Sequence, residues 1–541
     1  MKTIKSLTEA EIAELPTLPD EWKWARLGEL VHEIVVGYVG PITQYLTDNQ
    51  NNGVRFLSTT HIGNNQFLNN KEIRYVTNEF SMKNKKSEVL AGDIIVARHG
   101  DSGKCCIIPP SIKKAQVSNA VIIRPNNELF VNLYLVYSFG YLKQSLQKKK
   151  VGGVQQVVNT KTMETFPFPL PPLPEQRAIV SKIELLFSEL DNGIANLKLA
   201  QEQLKVYRQA VLKKAFEGEL TKKWREQQTD LPDARDLLEQ IRKGREKTAN
   251  ATGKKVKSVK SLIEEELEGL PRLPEEWYWV KNEELIHYVT SGSRDWKQFY
   301  SEKGAYFIRT QDIKTNSLAL EEVAFVDLPD KVEGKRSLVE EDDLLMTITG
   351  ANVGKVAHIN FEIPEAYVSQ SVALMKYVDK RIVPFLHYYF QTHGFGATFI
   401  SKLVYGMGRP VLSLENMREV PVPLCSLKEQ KQIIQEIETR LSVCDKIEQD
   451  IETNLEKAEA LRQSILKKAF EGKLLNEKEL AEVRRAEDWE PAEVLLEKIK
   501  AEREGNGKWK KQIPEQSKKI IRDEKGLTQQ ATLRVFEQID N

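Results

Sequence analysis

The sequence predicts an α+β protein built as a tandem repeat, in which two globular units are each followed by a long helix and the two long helices form a coiled coil. Three observations predict this: matching motifs recur through both halves, a seven-residue apolar repeat follows each globular unit, and short β-type runs lie beside a helical pattern within the units. The predicted order is a globular unit (1–168), a helix (169–220), a polar linker (221–270), a globular unit (271–422), a helix (423–474) and a polar tail (475–541).

Each globular unit is predicted to mix short strands with helices. In the first unit, residues 93–97, 104–108 and 119–124 are short apolar runs typical of β-strands. Apolar residues at helical spacing follow and predict a helix over 131–148. The strands do not alternate with helices as they do in a doubly wound sheet, and this favours an α+β fold.

The stretches 169–220 and 423–474 each carry a heptad repeat. The seam residues are Ile183, Leu190, Leu197, Leu204 and Val211 in the first stretch, and Ile437, Cys444, Ile451, Ala458 and Ile465 in the second. Such a sustained heptad predicts a coiled-coil seam. Further apolar residues belong to the same pattern and lie three or four positions later: Leu186, Phe187, Ile194 and Tyr207 in the first stretch, and Leu441, Ile447, Leu455 and Leu461 in the second. About 42 residues at about 1.5 Å each give a rod of roughly 60 Å. Two helices of an ordinary bundle are the alternative.

The two rods have the same length. Glu175 and Glu429 lie 254 residues apart, and so do Ala215 and Ala469, so no residue has been gained or lost between these positions. Loops tolerate insertions, whereas a rod whose length matters does not. The segment is therefore interpreted as a ruler.

Even the polar segments after the rods resemble each other. Leu237–Arg242 matches Leu495–Lys500, which predicts either a short docking helix after each rod or a solvated spacer.

Composition and total charge exclude some classes of protein but identify no partner. The net charge is +1, and the chain contains four cysteines without a Cys-x-x-Cys pair. No run of 18 apolar residues occurs, and the N-terminus does not have the pattern of a signal peptide. The expectation is a cytoplasmic protein with no zinc site and no membrane span.

No catalytic motif stands out. The stretches ending in Gly103-Lys104 and Gly354-Lys355 resemble a phosphate-binding loop, but they lack its spacer and the Ser or Thr after Lys, so β-turns are favoured. No amino-methyltransferase motif, metal-spaced histidine cluster or nuclease motif occurs. The chain is predicted to have no catalytic residues and no metal site.

Charge distinguishes the two globular units. Residues 22–170 contain 18 basic and 10 acidic residues, a net charge of +8, whereas residues 273–423 contain 16 and 21, a net charge of −5. The first unit is a candidate nucleic-acid binder. The basic residues of the second unit must cluster if it is to bind nucleic acid as well.

Polar loop tips at equivalent places in both halves are the candidate base readers, although ordinary turns explain them equally well. Arg suits guanine and Gln or Asn suits adenine in the major groove. The candidate DNA contacts of the first unit are Arg98, His99, Lys104, Lys113, Lys114, Lys148, Lys149, Lys150, Gln155 and Gln156. Those of the second unit are Arg294, Lys297, Arg309, Gln311, Lys355 and Arg409.

The repeated motifs resemble the specificity subunit of type I restriction–modification enzymes over nearly the whole chain. The motifs that carry the resemblance are Pro169–Gln176 before the first rod and Leu212–Gly218 at its end, with Glu429-Gln430 and Leu466–Gly472 at the second. The openings Leu18–Trp24 and Leu273–Trp279 also fit. The second copy departs from the first in having Cys425-Ser426 in place of Pro171-Pro172.

The resemblance implies that each globular unit is a target recognition domain for one half of a split double-stranded DNA site. It implies as well that the rods pack as an antiparallel coiled coil and set the gap. It also implies two modification subunits carrying S-adenosylmethionine and two restriction subunits using ATP and Mg²⁺, with no cofactor on this chain. The alternatives are a coiled-coil scaffold that binds no DNA and a stand-alone DNA-modifying enzyme, and the missing motifs argue against the latter.

Overall fold

The computed structural model describes residues 4–48, 52–63, 65–68, 71–98, 103–126, 129–148, 159–251, 259, 261–293, 296–315, 317–329 and 334–505. Its contacts divide the chain into two compact units. The first contains Met1–Asn196 and Asn454–Asn541, and the second contains Leu197–Thr453. Each unit therefore holds one globular domain with a segment of both long helices.

The first unit contains three small sheets, each covered by helices. Lys23–Arg26 pairs antiparallel with Pro167–Leu170. One four-stranded sheet has the order Val31–Val36, Ala120–Pro125, Ile94–Ala97, Cys105–Ile107, and the other has Arg74–Thr77, Gly53–Leu57, Lys114–Val117, Glu88–Leu90. The second of these includes one parallel pair, Gly53–Leu57 with Lys114–Val117. The predicted strands at 93–97, 104–108 and 119–124 are thus confirmed.

The helices of the first unit include the predicted one, observed as Asn132–Lys148. The others are Glu9–Ala13, Leu27–Leu30, Asn78–Lys83, Thr160–Glu164, Glu477–Val483 and Ala492–Gly505, with 3₁₀ turns Thr43–Tyr45, Thr59–His61 and Lys85–Ser87. The long helix Leu173–Phe216 begins in this unit and ends in the second. Tyr134 and Phe139 of helix Asn132–Lys148 are fully buried in the core that this helix shares with the long helices.

The second unit repeats this architecture. Tyr278–Lys281 pairs with Pro421–Leu424, and the sheets have the orders Ile286–Ser291, Val372–Tyr377, Leu344–Thr347, Val356–His358 and Tyr300–Ser301, Ala324–Val326, Ala305–Ile308, Ala366–Val368. A further pair is Ile313–Lys314 with Ser317–Leu318. The helices are Lys222–Glu226, Ala234–Ala251, Glu264–Glu268, Asn282–Leu285, Val383–Phe390, Gly396–Leu403, Leu414–Glu419 and Leu427–Phe470, with 3₁₀ turns Trp296–Phe299, Lys335–Ser337 and Lys380–Ile382. The predicted duplication is therefore visible in the order of the first four-stranded sheet and in three strands of the second. The fourth strand of that second sheet differs, because Glu88–Leu90 pairs with Lys114–Val117 whereas Tyr300–Ser301 pairs with Ala324–Val326.

The long helices pack antiparallel. In the first unit, Ile183 and Phe187 of the first helix share a core with Ile465 and Phe470 of the second. In the second unit, the end of the first helix shares a core with the start of the second, through Leu212 and Ile437 among others. The beginning of each helix thus lies against the end of the other.

An ion pair occurs once in each unit at positions that the repeat makes equivalent. Arg462 contacts Asp191 in the first unit, and Arg208 contacts Asp445 at 2.6 Å in the second. Both arginines and both aspartates are 254 residues apart, so the pairing has internal two-fold character. The pairs are partly exposed, and each contributes about 0.2–1 kcal/mol, so they fix register more than they stabilise the protein.

The heptad prediction is confirmed for the seam of the second helix and for Ile183 and Val211 of the first, but it is wrong for part of the flank. Leu190, Leu197 and Leu204 of the first helix are only partly buried. All five seam residues of the second helix are buried, from Ile437 to Ile465. By contrast Tyr207, Ile447 and Leu461 are 49%, 42% and 51% exposed. With two helices in contact, the buried stripe is the narrow a/d seam, and positions beside it face outward.

A buried carboxylate at the start of each long helix ties the most strongly repeated motifs together. Trp22 Nε1 donates to Glu175 Oε2 at 2.7 Å, and Trp277 Nε1 donates to Glu429 Oε2 at 2.9 Å. Both glutamates are at most 1% exposed. A buried carboxylate is tolerated only with charge-assisted hydrogen bonds, and this requirement explains why the Trp and the Glu recur together.

The partner charge for each of these carboxylates comes from the segment that follows a rod. Arg225 Nη1 lies 2.5 Å from Glu429 Oε1, and Arg484 Nε lies 3.2 Å from Glu175 Oε1. The polar segments then form docking helices rather than solvated spacers, because Leu237 in one and Leu495 in the other are buried against their domains. The C-terminal segment thus completes the first unit, as 221–251 completes the second.

Each rod ends at a glycine for a steric reason. Gly218 and Gly472 have φ values of +73° and +69°, the left-handed conformation of a helix C-cap. A Cβ on Gly218 would lie 2.4 Å from Pro274 Cγ, and one on Gly472 would lie 2.2 Å from Pro19 Cγ. These two prolines belong to the repeated Leu-Pro-x-Glu-Trp motif, so rod end and domain start pack closely in each unit.

Candidate nucleic-acid interface

The two Gly-Lys pairs lie at the ends of loops that join antiparallel strands, Ile94–Ala97 with Cys105–Ile107 and Leu344–Thr347 with Val356–His358. In the first unit Gly103 has φ +95° and donates its N–H to the Ala97 carbonyl at 3.2 Å. In the second unit Gly354 has φ +90° and donates to the Thr347 carbonyl at 2.9 Å. In the second loop Val353 N–H donates to the Gly350 carbonyl at 3.2 Å and Lys355 N–H donates to the Asn352 carbonyl at 3.1 Å, so the prediction of β-turns is confirmed there. In the first loop residues 99–102 lie outside the described residues.

Both turns lie beside the long helices. Lys104 lines a cavity of about 500 Å³ with Glu184 and Asp191 of the first long helix and Arg462 of the second. Lys355 lines a cavity of about 490 Å³ that includes Gln209 of the first long helix. Both lysines therefore lie where the globular domain meets the long helices, and not at the loop tips.

The other described basic candidates of the first unit lie on the sheets. Arg98 directly follows strand Ile94–Ala97, and partial burial lowers the pKa of its guanidinium. Lys113 is exposed just before strand Lys114–Val117. The ammonium of Lys114 lies 2.9 Å from Glu88 Oε2, so its charge is already paired. A paired lysine is less available to a phosphate than a solvated one.

Several candidates fall outside the described residues. These are His99, Lys149, Lys150, Gln155, Gln156 and Arg294. For Lys148 and Lys297 the structure describes the backbone, at the end of helix Asn132–Lys148 and in the turn Trp296–Phe299, but not the side chain. Their proposed DNA contacts stay predictions.

In the second unit Arg309 is held by an acid. Its Nε and Nη2 lie 3.1 Å from the two carboxylate oxygens of Asp312, and this pairing raises the pKa of the guanidinium. Nη2 also donates to the Glu322 carbonyl at 2.8 Å. An arginine would use the same bidentate geometry to bind a guanine. Because Asp312 already occupies these donors, Arg309 is not available to a base. The neighbouring Gln311 is exposed.

Arg409 lies on an exposed loop that two backbone hydrogen bonds close. Tyr405 N–H donates to the Val411 carbonyl at 3.0 Å, and Val411 N–H donates to the Tyr405 carbonyl at 2.8 Å. Gly406, at φ +92°, allows the chain to reverse within the loop. Arg409 is exposed, and the Met407 side chain at the tip is fully exposed. This loop has the form expected of a base-reading tip.

Thr347 and Thr349, which match Arg98-His99 in the sequence repeat, differ in how far their side chains are exposed. Thr347 is fully buried, with no hydrogen-bond partner for its Oγ1 among the residues that the structure describes. Thr349 is half-buried, forms a β-bridge with Val411 and lines a cleft beside the Arg409 loop. Thr349 is therefore the accessible one of the two.

Two residues of this cleft were not among the sequence candidates. Arg336 lies in the 3₁₀ turn Lys335–Ser337, and Gln370 follows strand Ala366–Val368. The repeated Val-Ser-Asn and Val-Ser-Gln tripeptides offered a signal for Gln370. The sequence offered none for Arg336, because a lysine–arginine pair is usually a solvated surface feature.

Other properties of the chain bear on its class. In the described ranges no group of three or more His, Cys, Asp or Glu is placed to hold a metal ion. All four cysteines are buried and free, and burial raises the pKa of each thiol. None of the helices in the same ranges is long and apolar enough to span a membrane.

Comparison with known proteins gives consistent matches. The family model for the type I restriction modification DNA specificity domain matches residues 19–199 and 274–457. The type I restriction enzyme EcoBI specificity subunit of Escherichia coli is 29% identical over 360 residues, covering 65% of this chain and 67% of that protein. The EcoKI specificity subunit of E. coli strain K12 is 24% identical over 403 residues, covering 71% and 75%.

A solved structure shows the same fold. A chain from a study of complex assembly and conformational transition of the type I R-M system superposes with a TM-score of 0.60 at 18% identity, covering 85% of this chain and 100% of that one. This likeness concerns the fold alone.

Proposed function

This chain belongs to the family of type I restriction–modification DNA specificity domains, whose model matches it twice and over more than half its length, and we propose that it is the DNA specificity subunit of a type I restriction–modification complex. Each globular domain reads one half of a split double-stranded DNA site. The observation that carries this proposal is the duplication itself: the two domains share the order of one four-stranded sheet, and each is anchored by an equivalent Trp–Glu hydrogen bond.

The two domains share a frame but differ in the side chains at their loops. Their anchors are the same in kind, since a tryptophan and an arginine hold each buried glutamate. The first domain has a net charge of +8 and the second a net charge of −5. A shared frame with different surfaces is what a protein needs in order to read two different sequences from equivalent positions.

The long helices act as the ruler and as the docking surface for partners. Two modification subunits bind there and supply S-adenosylmethionine, and two restriction subunits supply ATP- and Mg²⁺-dependent cleavage. The chain itself performs no chemical step. It works in the cytoplasm, where host and invading DNA are found.

Domain exchange tests this function. Replacing residues 22–165 with those of a relative should change one half of the methylated site and leave the other half unchanged. Replacing 271–422 in a matched chimaera should change only the opposite half. Methylome sequencing of hosts that carry each chimaera is the measurement, and a chimaera that alters both halves would contradict separate reading.

A coiled-coil scaffold without DNA contacts is distinguished by binding. With the modification subunits present, the specificity subunit should shift a DNA duplex in a salt-dependent manner, because phosphate contacts release counterions. A complex that assembles but binds DNA no better than the modification subunits alone would support the scaffold.

A further inference from the structure

A cleft of about 810 Å³ lies on the second globular domain and is lined by polar side chains. Its lining residues are Ser291, Gly292, Arg336, Thr349, Gln370, Ser371, Arg409 and Val411. Two guanidinium groups, one amide and three hydroxyl groups therefore face one space. Among these residues there is no aspartate or glutamate, although the domain as a whole carries a net charge of −5.

Five different segments build the cleft, and one of them is Thr349, which follows strand Leu344–Thr347. Strand Ile286–Ser291 ends at it, and the 3₁₀ turn Lys335–Ser337 supplies Arg336. Gln370 lies between two strands of different sheets, Ala366–Val368 and Val372–Tyr377. The closed loop from Tyr405 to Val411 supplies Arg409. Side chains presented by rigid segments are suited to a fixed pattern of hydrogen bonds.

Gly292 shows how closely these segments approach. A Cβ at this position would lie 1.7 Å from the Val368 carbonyl oxygen, a distance that no side chain permits. The equivalent Gly37 of the first domain has the same restriction, since its Cβ would lie 2.5 Å from the Val117 carbonyl oxygen. Both domains therefore bring the same two segments together at this place.

The hydrogen-bonding groups of the cleft are available to a ligand. Within the part of the chain that the structure describes, the side chains of Gln370 and Arg409 have no hydrogen-bond or ion-pair partner. Arg336 Nη2 makes only two 3.5 Å contacts, with the Ser291 carbonyl and Ser293 Oγ, and at that distance a hydrogen bond is weak.

Other basic residues of the same domain are neutralised by acids. Lys376 lies 2.7 Å from Asp343 and 2.8 Å from Glu340, Arg381 lies 2.6 Å from Asp379, and Arg309 is held by Asp312. These four acidic residues thus pair with bases outside the cleft. This pairing lets an acidic domain present a cationic cleft to a polyanion.

On the basis of the proposed function, we infer that this cleft is the base-reading site of the second domain, with Arg336 and Arg409 directed at guanines and Gln370 at an adenine. An arginine bonds the O6 and N7 of guanine with two parallel hydrogen bonds, and a glutamine bonds the N6 and N7 of adenine. The second half-site accordingly contains at least one G·C and one A·T pair at specified positions.

The first domain places related side chains at the same two positions. Lys86 occupies the 3₁₀ turn Lys85–Ser87, as Arg336 occupies Lys335–Ser337, and Asn119 follows Val117-Ser118 as Gln370 follows Val368-Ser369. Lys86 and Asn119 are both exposed. The two domains therefore share positions for reading and differ in the reach of the side chains at them.

The test uses the complete complex with its modification subunits and the DNA site mapped by methylome sequencing. Arg336→Ala and Gln370→Ala are measured against a panel of duplexes in which each base pair of the second half-site is changed in turn. Each variant should bind the mapped site about 5- to 150-fold more weakly, which corresponds to about 1–3 kcal/mol for a lost bidentate base contact. Each should also become insensitive to base identity at one position.

Lys335→Ala is the matched control, because it removes one exposed positive charge from the same turn and Lys335 does not line the cleft. It should weaken binding to all duplexes by one common factor. The first half-site should be read normally by all three variants, and their thermal unfolding should match the wild type.

The outcomes are distinguishable. If the wild-type complex prefers no sequence, the proposed function fails. If the wild-type complex prefers its site but Arg336→Ala and Gln370→Ala bind every duplex with unchanged affinity, or behave like Lys335→Ala, then the cleft does not read bases and only this inference is overturned.

Discussion

Removing the Glu429 carboxylate should destabilise the second unit more than any surface change. Glu429 is fully buried and accepts hydrogen bonds from Thr221 Oγ1 at 2.7 Å, Arg225 Nη1 at 2.5 Å and Trp277 Nε1 at 2.9 Å. Glu429→Leu would leave the Arg225 guanidinium, whose side chain is only 12% exposed, without this nearest acid. Breaking a buried pair on one side costs about 3–5 kcal/mol when the remaining charge has no other partner. Arg225 Nε also lies 3.7 Å from Glu276 Oε2, a carboxylate that is 46% exposed, so the lower end of this range is expected.

A second substitution separates the charge effect from the loss of packing. The double variant Glu429→Leu/Arg225→Met removes both charges. The groups that then lack a hydrogen-bond acceptor are neutral, namely the Thr221 hydroxyl and the Trp277 indole N–H. Such donors cost about 1–3 kcal/mol when buried without partners. The double variant should therefore be more stable than Glu429→Leu by at least about 1 kcal/mol, a non-additivity expected only of residues in direct contact.

Hydrogen exchange read by mass spectrometry is the assay, because it reports the free energy of opening separately for each part of the chain. Amides within 427–453 should lose protection in Glu429→Leu. The matched variant Glu175→Leu should act instead on amides within 173–196, since Glu175 belongs to the other unit. A loss below about 1 kcal/mol in Glu429→Leu, or a double variant as unstable as the sum of the singles, would refute the reasoning.

Two further predictions follow from the rods and from a buried histidine. If the rods set the gap of the DNA site, inserting one heptad after Ala200 and one after Asn454 should keep the seam in phase and add about 10 Å. The unspecified gap should then lengthen by about three base pairs, which methylome mapping measures. An unchanged gap in a folded, active complex would mean that the rods are only a scaffold. Burial lowers the pKa of His387 from 6.5 to about 3, so between these values the unfolded chain binds a proton that the folded chain does not, and stability is lost as the pH falls below 6.5. Between pH 6 and 4 the unfolding free energy of His387→Phe should change with pH less steeply than that of the wild type, by up to about 1.4 kcal/mol per pH unit. Urea unfolding at several pH values measures both dependences. If the two proteins lose stability equally as the pH falls, the lowered pKa of His387 is contradicted.

The sequence by itself determined the parts of this protein that obey a local period. The heptad from Ile437 to Ile465, the helix over 131–148 and the glycine stops at Gly218 and Gly472 all depend on spacing along the chain. Duplication strengthened these predictions, because each motif could be checked against its copy. The flank of the seam was predicted wrongly at Tyr207, since the width of a buried stripe depends on the number of helices packed against it.

Only the tertiary structure decided which polar side chains are available to a ligand. Arg309 and Arg409 look alike in the sequence, yet Asp312 holds the first and no described residue holds the second. Arg336 and Gln370 lie 34 residues apart in sequence and line the same cleft because strands from two sheets meet there. Ion pairing and burial arise between segments distant in the chain, so residue type and local pattern do not determine them, and the reading surface of the second domain is set by those long-range contacts.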